Sequence, residues 1–367
     1  MKITRLALHQ TDLPYVGGTY TWGAGNPLTV ARASVVVVET DAGLTGCGEF
    51  TPCGENYMVA FSGGTAGVFA HLAPRLLGED PRQLARIEGI MDGALQGHGY
   101  AKSPIDIACW DILGQATGQP LWMLLGGKLT DGAPMYRVAP QKPLEETRAE
   151  LAQHRAAGYR QFQVKVGADW RGDIDRIQMT IPLLQPGERA MADANQGWRV
   201  DDAIRVANAT RGLDFILEQP CKTYEECQQV RRVADQPMKL DECITGLYAA
   251  QRIVQDRGAE ICCLKISNLG GLTKARRVRD FLLENRMPVV SEDSWGGEIT
   301  SAAVAHFAAS TPPEYLINTT DLMNYNTRST GTGGPTVAQG RLYATDTPGL
   351  GAAPDWDSLG APLMEVA

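Results

Sequence analysis

Residues 189–198 read RAMADANQGW, and they contain the repeating unit from which the fold of the chain can be predicted. A short apolar strand, Arg189–Asp193, ends in an acid, and an amphipathic segment, Asp201–Ala209, follows it. The same unit recurs on both sides, so that short apolar strands alternate with amphipathic segments from about Pro134 onward. That alternation is typical of parallel βα units.

The alternation has enough members to predict a barrel. Eight strand candidates with intervening helices favour a closed (β/α)8 barrel over an open doubly wound sheet. The strand candidates are Met135–Val138, Phe162–Val166, Arg189–Asp193, Phe215–Glu218, Met238–Asp241, Cys262–Lys265, Pro288–Ser291 and Tyr315–Asn318. The helical segments are Leu144–Ala157, Asp173–Leu184, Asp201–Ala209, Tyr224–Ala234, Gly246–Gln255, Thr273–Asn285 and Thr300–Ser310.

The first third of the chain has a different pattern, in which strands precede helices. Strands followed by helices predict an α+β capping domain over residues 1–128, ahead of a barrel over residues 129–339. We expect the tail, about residues 340–367, to return to the cap. The cap strands are predicted at Ile3–Leu8, Ser34–Glu39 and Leu44–Phe50, and its helices at Thr65–Leu77, Pro81–Gln96 and Ser103–Thr117, the last beginning at Ser103-Pro104.

Composition excludes several classes of protein. The 367 residues are 44% hydrophobic and 21% charged, as in an ordinary globular protein. Lys+Arg 34 against Asp+Glu 42 gives a net charge of −8, so nucleic acid and anionic membranes are disfavoured as partners. No run approaches the roughly 18 apolar residues that span a bilayer, and the N-terminus lacks the apolar core of a signal peptide. We therefore expect a cytoplasmic protein, and we expect it to be a homo-oligomer.

The eight cysteines agree with a reducing compartment. No CxxC pair exists, and the adjacent Cys262 and Cys263 lie in an apolar strand, so buried thiols are expected rather than a zinc site or a disulfide framework. The five histidines stand in no recognisable relation to the cysteines, which disfavours a nucleophilic cysteine.

A charged residue stands at the end of six successive barrel strands. The six are Lys165, Asp193, Glu218, Asp241, Lys265 and Asp293, separated by 28, 25, 23, 24 and 28 residues. The C-terminal ends of barrel strands form one mouth, where active sites are built, so we expect these side chains to converge. Any one of them alone is better explained as a salt-bridge partner, a turn residue or a helix cap. It is improbable that six consecutive strand ends each carry a charge for an unrelated structural reason.

The order of these charges indicates a chemistry, because two lysines flank three carboxylates. Asp193, Glu218 and Asp241 would repel one another, and a hard divalent cation relieves that repulsion. Mg²⁺ fits best, because no histidine or cysteine joins the set to favour zinc. Lys165 and Lys265 would face each other across the metal, an arrangement that suits removal of a proton next to a carboxylate. Burial beside the metal and a second amine would lower a lysine pKa toward the working pH.

The strand-end motifs resemble those of the enolase superfamily, specifically its muconate-lactonizing-enzyme-like branch. The matching segments, which are spread over the whole chain, are Ile105–Asp111, Gly126-Gly127, Asp193–Trp198, Glu218–Pro220, Leu240–Glu242 and Leu264–Gly271. The resemblance implies a modified, enolase-like barrel with a cap, Mg²⁺ held by Asp193, Glu218 and Asp241, and Lys165 and Lys265 as the acid/base pair. That family usually has Lys-x-Lys on the second strand, whereas this chain has Gln163 and Lys165.

Within that branch, the segments Glu218–Cys227, Glu292–Gly297 and Thr320-Asp321 are similar to members that act on proline derivatives. The resemblance implies a small carboxylate substrate and dehydration of cis-3-hydroxy-L-proline. The alternatives are 2-epimerisation of a proline or hydroxyproline betaine, another racemising or lactonizing activity, and a barrel that binds metabolites without turning them over.

The chemistry of the substrate nitrogen distinguishes the dehydration of cis-3-hydroxy-L-proline from the 2-epimerisation of a betaine. A betaine nitrogen requires a cage of aromatic faces, and the eighth strand ends in Asn318–Asp321 with no ring, which favours the dehydratase. A lid candidate is Trp22, in the Gly17–Gly25 loop. The expected substrate-binding residues are Tyr57, Gln163, Asn195, Asp293 and Trp295.

Overall fold

A computed structural model describes residues 1–23, 25–139 and 142–367 of the chain. Its N-terminal part is an antiparallel sheet covered on one side by helices. The elements are β1 (Ile3–Pro14), β2 (Tyr20–Trp22), β3 (Asn26–Leu28), β4 (Val30–Thr40), β5 (Thr45–Phe50), α1 (Ser62–Leu76), α2 (Leu84–Ala94), α3 (Gly99–Thr117) and α4 (Leu121–Leu124). Strands β1, β4 and β5 pair in that order, and β2 with β3 forms a separate hairpin that the sequence did not predict.

The central part alternates strands and helices. It consists of β6 (Ala133–Pro134), β7 (Tyr136–Ala139), α5 (Leu144–Ala156), β8 (Gln161–Lys165), α6 (Trp170–Thr180), β9 (Arg189–Asp193), α7 (Val200–Ala209), β10 (Ile216–Glu218), α8 (Tyr224–Arg231), β11 (Met238–Leu240), α9 (Leu247–Asp256), β12 (Ile261–Lys265), α10 (Ile266–Leu269), α11 (Leu272–Glu284), β13 (Val289–Glu292), α12 (Glu298–Ala309) and β14 (Leu316–Thr319). Short 3-10 turns follow α6 at Ile181–Leu183 and β14 at Leu322–Tyr325.

The predicted barrel is confirmed. Among the described residues, β7 to β14 form an eight-stranded parallel sheet in chain order, and a bridge between Met135 and Thr319 joins its two ends. Each strand lies within one residue of its predicted bounds. The strands are buried on both faces, as in β12, because helices cover the outside and side chains fill the inside.

The C-terminal part contacts both units. Its elements are β15 (Gly331–Gly333), β16 (Thr336–Ala338), β17 (Arg341–Tyr343), β18 (Ala352–Pro354), α13 (Trp356–Leu359) and β19 (Met364–Val366). Strand β17 pairs with β6 at the start of the barrel, whereas β19 pairs with β1 in the cap sheet. The domain boundaries at residues 128 and 339 stay a prediction.

Helix α3 joins the cap to the barrel. It begins at Gly99 rather than at the predicted Ser103-Pro104, because burial of nearly the whole helix outweighs the local signal of the proline. Strand β5 can approach it closely because Gly46 and Gly48 lack side chains. A Cβ atom on Gly46 would lie 2.2 Å from the Ala108 carbonyl oxygen, and one on Gly48 would lie 2.1 Å from the Pro104 oxygen.

Two carboxylates on α3 fix its neighbours. Asp106 accepts hydrogen bonds from the Thr273 backbone N–H at 3.0 Å and from its hydroxyl at 2.5 Å, and so caps α11. Asp111 accepts from the backbone N–H groups of Cys47 at 3.1 Å and Leu350 at 2.8 Å. Burial raises the pKa of each carboxyl to about 6. This helix therefore connects the cap sheet, the barrel and the tail.

The expectation of buried thiols is confirmed, since the cysteines are free and buried except for Cys243, which is partly exposed. Within the described ranges, no helix combines the length and the apolar character that a bilayer crossing requires.

Candidate active site

A cavity lies at the C-terminal ends of the barrel strands, where cap residues meet them. It brings together most of the predicted site residues, namely Trp22, Tyr57, Gln163, Lys165, Asp193, Asn195, Asp241, Lys265, Asp293 and Trp295. Glu218 is not on its wall. It lies below, where its Oε2 atom accepts a hydrogen bond from Gln163 Nε2 at 3.2 Å.

The two lysines occupy opposite walls, because β8 and β12 are four strands apart in an eight-stranded barrel. Lys165 Nζ donates to Asp193 Oδ2 at 2.6 Å and to Asn195 Oδ1 at 3.0 Å. Lys265 Nζ donates to Asp241 Oδ2 at 2.7 Å and to Glu292 Oε1. A molecule held between them would have an amine on each of its faces.

The pKa of both lysines is raised well above its ordinary value by the carboxylates beside them, whereas the predicted lowering requires a bound metal ion. Burial lowers the pKa of each ammonium, but the Asp193 carboxylate beside Lys165 and the Asp241 carboxylate beside Lys265 together with other nearby groups raise it more. A carboxylate that binds a metal ion stabilises a neighbouring ammonium less. The basicity of each lysine therefore depends on what its carboxylate partner binds.

The residues around the cavity fit a divalent cation. In and around the cavity, the buried ionisable residues include six acids and three lysines, so with every group ionised the formal charge is 3 − 6 = −3: Asp193, Glu218, Asp241, Glu242, Glu292 and Asp293, with Lys165, Lys239 and Lys265. Burial and then the Asp241 carboxylate raise the pKa of Glu242. Asp241 Oδ1 has no hydrogen-bond partner in the described chain. An excess of buried carboxylate oxygens suits a hard cation such as Mg²⁺.

The tightest cluster of potential ligand atoms is not the predicted one. Among the described residues, one oxygen each of Asp241 and Glu292 and the sulfur of Cys263 lie within 4.8 Å of one another. Glu292, however, is paired with Lys265, and burial raises the pKa of the Cys263 thiol well above its ordinary value. A protonated thiol is a poor ligand for a hard cation. The set of Asp193, Glu218 and Asp241 therefore stays the prediction.

The charged partner of Lys265 on the seventh strand is Glu292, which the sequence reasoning missed in favour of Asp293. Glu292 is the Cα partner of Lys265 in the β12–β13 register. Burial raises the pKa of Glu292, but Lys265 and the other nearby lysines lower it more, to about 2. Asp293 lines the cavity, but it accepts backbone hydrogen bonds from Ser267 at 2.9 Å and Ser294 at 2.7 Å. The alternation along β13 places Glu292 on the face of Val290, and that signal could have identified it.

Asn195 connects Lys165 to a second acid. Its side-chain nitrogen donates to Glu242 Oε1 at 3.1 Å, while its oxygen accepts from Lys165. Asn195 and Gln196 have φ angles of 43° and 67°, a left-handed conformation that is uncommon for residues other than glycine. Such strain concentrates at functional sites.

Aromatic rings form the upper wall of the cavity. They are Tyr20, Trp22, Tyr57, Trp295 and Tyr325. Tyr136, the first residue of β7, also lines the cavity but packs with residues of the neighbouring barrel strands. The ring centroids of Tyr20 and Trp295 are 5.2 Å apart, in an edge-to-face arrangement. Residues 318–321 at the end of the eighth strand contain no ring, but the 3-10 turn that follows them places Tyr325 on the wall of the cavity.

Trp22, the lid candidate, belongs to strand β2 and is buried against Tyr57, with ring centroids 5.0 Å apart. Ala24, in the same predicted loop, lies outside the described residues. The role of Trp22 as a lid stays a prediction.

Two family models match the chain. Residues 26–126 match the mandelate racemase / muconate lactonizing enzyme N-terminal domain, and residues 146–358 match the enolase C-terminal domain-like model. The chain therefore belongs to the enolase superfamily, in its mandelate racemase and muconate lactonizing enzyme group.

Particular relatives are similar over the full length. The chain is 44% identical to cis-3-hydroxy-L-proline dehydratase from Roseibium aggregatum, over 100% of both chains. It is 77% identical to a mandelate racemase/muconate lactonizing enzyme from Roseovarius nubinhibens ISM of solved structure, with a TM-score of 0.99 over 100% of this chain and 99% of that one. An enolase superfamily member from the same organism, solved in complex with magnesium, is 35% identical, with a TM-score of 0.93 and the same coverage.

Proposed function

We propose that this protein is a Mg²⁺-dependent enzyme that removes the α-proton of a small carboxylate, and that its substrate is cis-3-hydroxy-L-proline. The observation that carries the proposal is the placement of Lys165 and Lys265 on opposite walls of one cavity, with buried carboxylates between them. The full-length similarity to a dehydratase of this substrate supports the choice of reaction. Cytoplasmic location and self-association stay predictions.

The residues divide the chemistry as follows. Asp193, Glu218 and Asp241 would hold Mg²⁺, which supplies positive charge to the carboxylate oxygens of the substrate as the α-proton leaves. In cis-3-hydroxy-L-proline the hydroxyl and the α-hydrogen lie on opposite faces of the ring. One lysine therefore accepts the α-proton, while the other donates a proton to the departing hydroxyl. The C3–O bond breaks, water leaves, and the enamine product tautomerises to the imine.

One observation favours a second candidate, the 2-epimerisation of a proline betaine. Aromatic rings recognise a quaternary nitrogen, and the upper wall of the cavity is lined by Tyr20, Trp22, Tyr57, Trp295 and Tyr325. The same two lysines would remove and return the α-proton. The lysines alone do not distinguish the two reactions.

Incubation with Mg²⁺ in D₂O, followed by NMR, tests the proposal. The substrates are cis-3-hydroxy-L-proline and proline betaine, and an imine product with loss of water from the former is expected. Deuterium at the α-carbon without loss of water would indicate an epimerase instead of a dehydratase. Retention of every α-hydrogen across a broad panel of carboxylates would indicate that the barrel binds metabolites without turning them over. For variants of Lys165 or Lys265 in this assay, Lys102→Met is a matched control, because Lys102 is also a buried lysine in an ion pair, with Asp92, but lies in the cap, away from the cavity.

A further inference from the structure

Lys239 is a lysine buried inside the barrel that the proposed reaction does not use. It is the Cα partner of Glu218 in the parallel β10–β11 register, and its Nζ lies 2.6 Å from Glu218 Oε1. The other oxygen of Glu218 accepts a hydrogen bond from Gln163 Nε2 at 3.2 Å. The Glu218 carboxylate is therefore held between a cation on one strand and a neutral amide on another.

The position of Lys239 differs from that of the two cavity lysines. Lys165 and Lys265 line the cavity, and each has more than one oxygen partner. Lys239 lies below the cavity wall, and among the described residues Glu218 is the carboxylate within 4.0 Å of it. A substrate in the cavity would meet Lys165 and Lys265 but not Lys239.

Lys239 and Glu218 form a buried ion pair, with 2.6 Å between Nζ and Oε1. Neither Lys239 Nζ nor Glu218 Oε1 makes a hydrogen bond of good geometry within the described chain. Burial of an ammonium is unfavourable, and apolar side chains of similar volume often stabilise a protein as well as a buried ion pair does. Stability alone therefore does not account for a lysine at this position.

We propose that Lys239 is a positioning residue, whose ammonium fixes the Glu218 carboxylate and sets the charge of the metal-binding carboxylates. Each of the three predicted ligands then has one lysine beside it: Lys165 beside Asp193, Lys239 beside Glu218 and Lys265 beside Asp241. Of these three lysines, Lys239 is the one that does not line the cavity. The effect of Lys239 on Mg²⁺ affinity rests on the proposed function. Its effect on the stability of the metal-free protein does not.

Three variants test the proposal: Lys239→Met, the double variant Gln163→Lys with Lys239→Met, and the control Lys102→Met. The measurements are Mg²⁺ affinity by titration calorimetry and the midpoint of thermal unfolding without metal. Lys239→Met should bind Mg²⁺ roughly tenfold more tightly, because a like charge is removed from the ligand set. Its midpoint should fall by about 5 °C, because Glu218 loses its counter-charge.

The double variant moves the cation from β11 to β8, where it meets the other oxygen of Glu218. It should recover the midpoint and return the Mg²⁺ affinity toward the wild-type value. Lys102→Met removes a buried lysine from another ion pair, so it should lower the midpoint and leave the Mg²⁺ affinity unchanged.

Equal or weaker Mg²⁺ affinity in Lys239→Met, or no recovery of the midpoint in the double variant, would overturn the proposal. If Lys239→Met does not fold, the double variant decides alone: folding with wild-type Mg²⁺ affinity supports the role of Lys239, and failure to fold overturns it. A wild-type protein that does not bind Mg²⁺ would refute the proposed function instead, and the metal-free midpoints would still decide the role of Lys239.

Discussion

We predict that His306 makes the junction of the cap, the barrel and the tail sensitive to acid. It lies on α12 with no exposed surface, and its Nδ1 accepts a hydrogen bond from the Trp122 backbone N–H at 3.2 Å. Its Nε2 therefore carries the proton and donates to the Leu350 carbonyl oxygen at 3.0 Å. Burial lowers the pKa of His306 from 6.5 to about 4. Because the unfolded chain binds a proton more readily, stability is lost as the pH falls from about 6.5 to about 4.

The size of this loss follows from the two pKa values. It is about 2 kcal/mol at pH 5 and about 3 kcal/mol once the folded protein is also protonated. Denaturant unfolding at pH 7 and pH 5 should show that the wild type loses about 2 kcal/mol more than His306→Gln, which cannot be protonated in this range. Equal losses in the two proteins, or an NMR titration of the His306 ring near pH 6.5, would show that His306 is not the source of the acid sensitivity.

Three further predictions concern the site and its supports. Lys165→Ala and Lys265→Ala should each lower kcat by roughly 10²- to 10⁴-fold; near wild-type turnover would remove that lysine from the mechanism. Glu49→Ala should lower the free energy of unfolding by about 2–4 kcal/mol, because the backbone N–H groups of Gly297 and Thr300 lose their acceptor; an unchanged thermal midpoint would contradict this. Arg137→Lys should raise KM several-fold at unchanged kcat. Arg137 makes bidentate contacts to Asp321, at 2.8 and 2.9 Å, that hold the turn of Tyr325, and lysine cannot reproduce them. An unaltered KM in steady-state kinetics would show that the pair of Arg137 and Asp321 does not shape the cavity.

The barrel could be predicted because each strand carries its own local signal. Arg189–Asp193, for example, is an apolar run that ends in a charge and a turn, and its bounds match the structure. The start of α3 could not be predicted in this way. Its first residues, from Gly99, are helical because they are buried against the cap sheet and α10, and that contact is not visible in the local sequence.

The site could be predicted where a residue ends a strand and not where it lies deeper or arrives from a loop. Lys165 and Lys265 follow the strand-end rule, and the cavity contains both. Lys239 precedes Leu240 inside its strand and so does not end it, although its spacing of two from Asp241 places both on the inner face. Tyr325 reaches the cavity through the 3-10 turn after β14, and the local sequence before this turn does not predict its geometry.

Asp193, Glu218 and Asp241 are predicted to hold one divalent cation between two lysines. A crystal grown with Mn²⁺ in place of Mg²⁺ and measured at the manganese absorption edge tests it most directly. We expect one anomalous peak at about 2.2 Å from an oxygen of each of these three carboxylates. A peak bound instead by Asp241, Cys263 and Glu292, or a cavity without a peak, would contradict it.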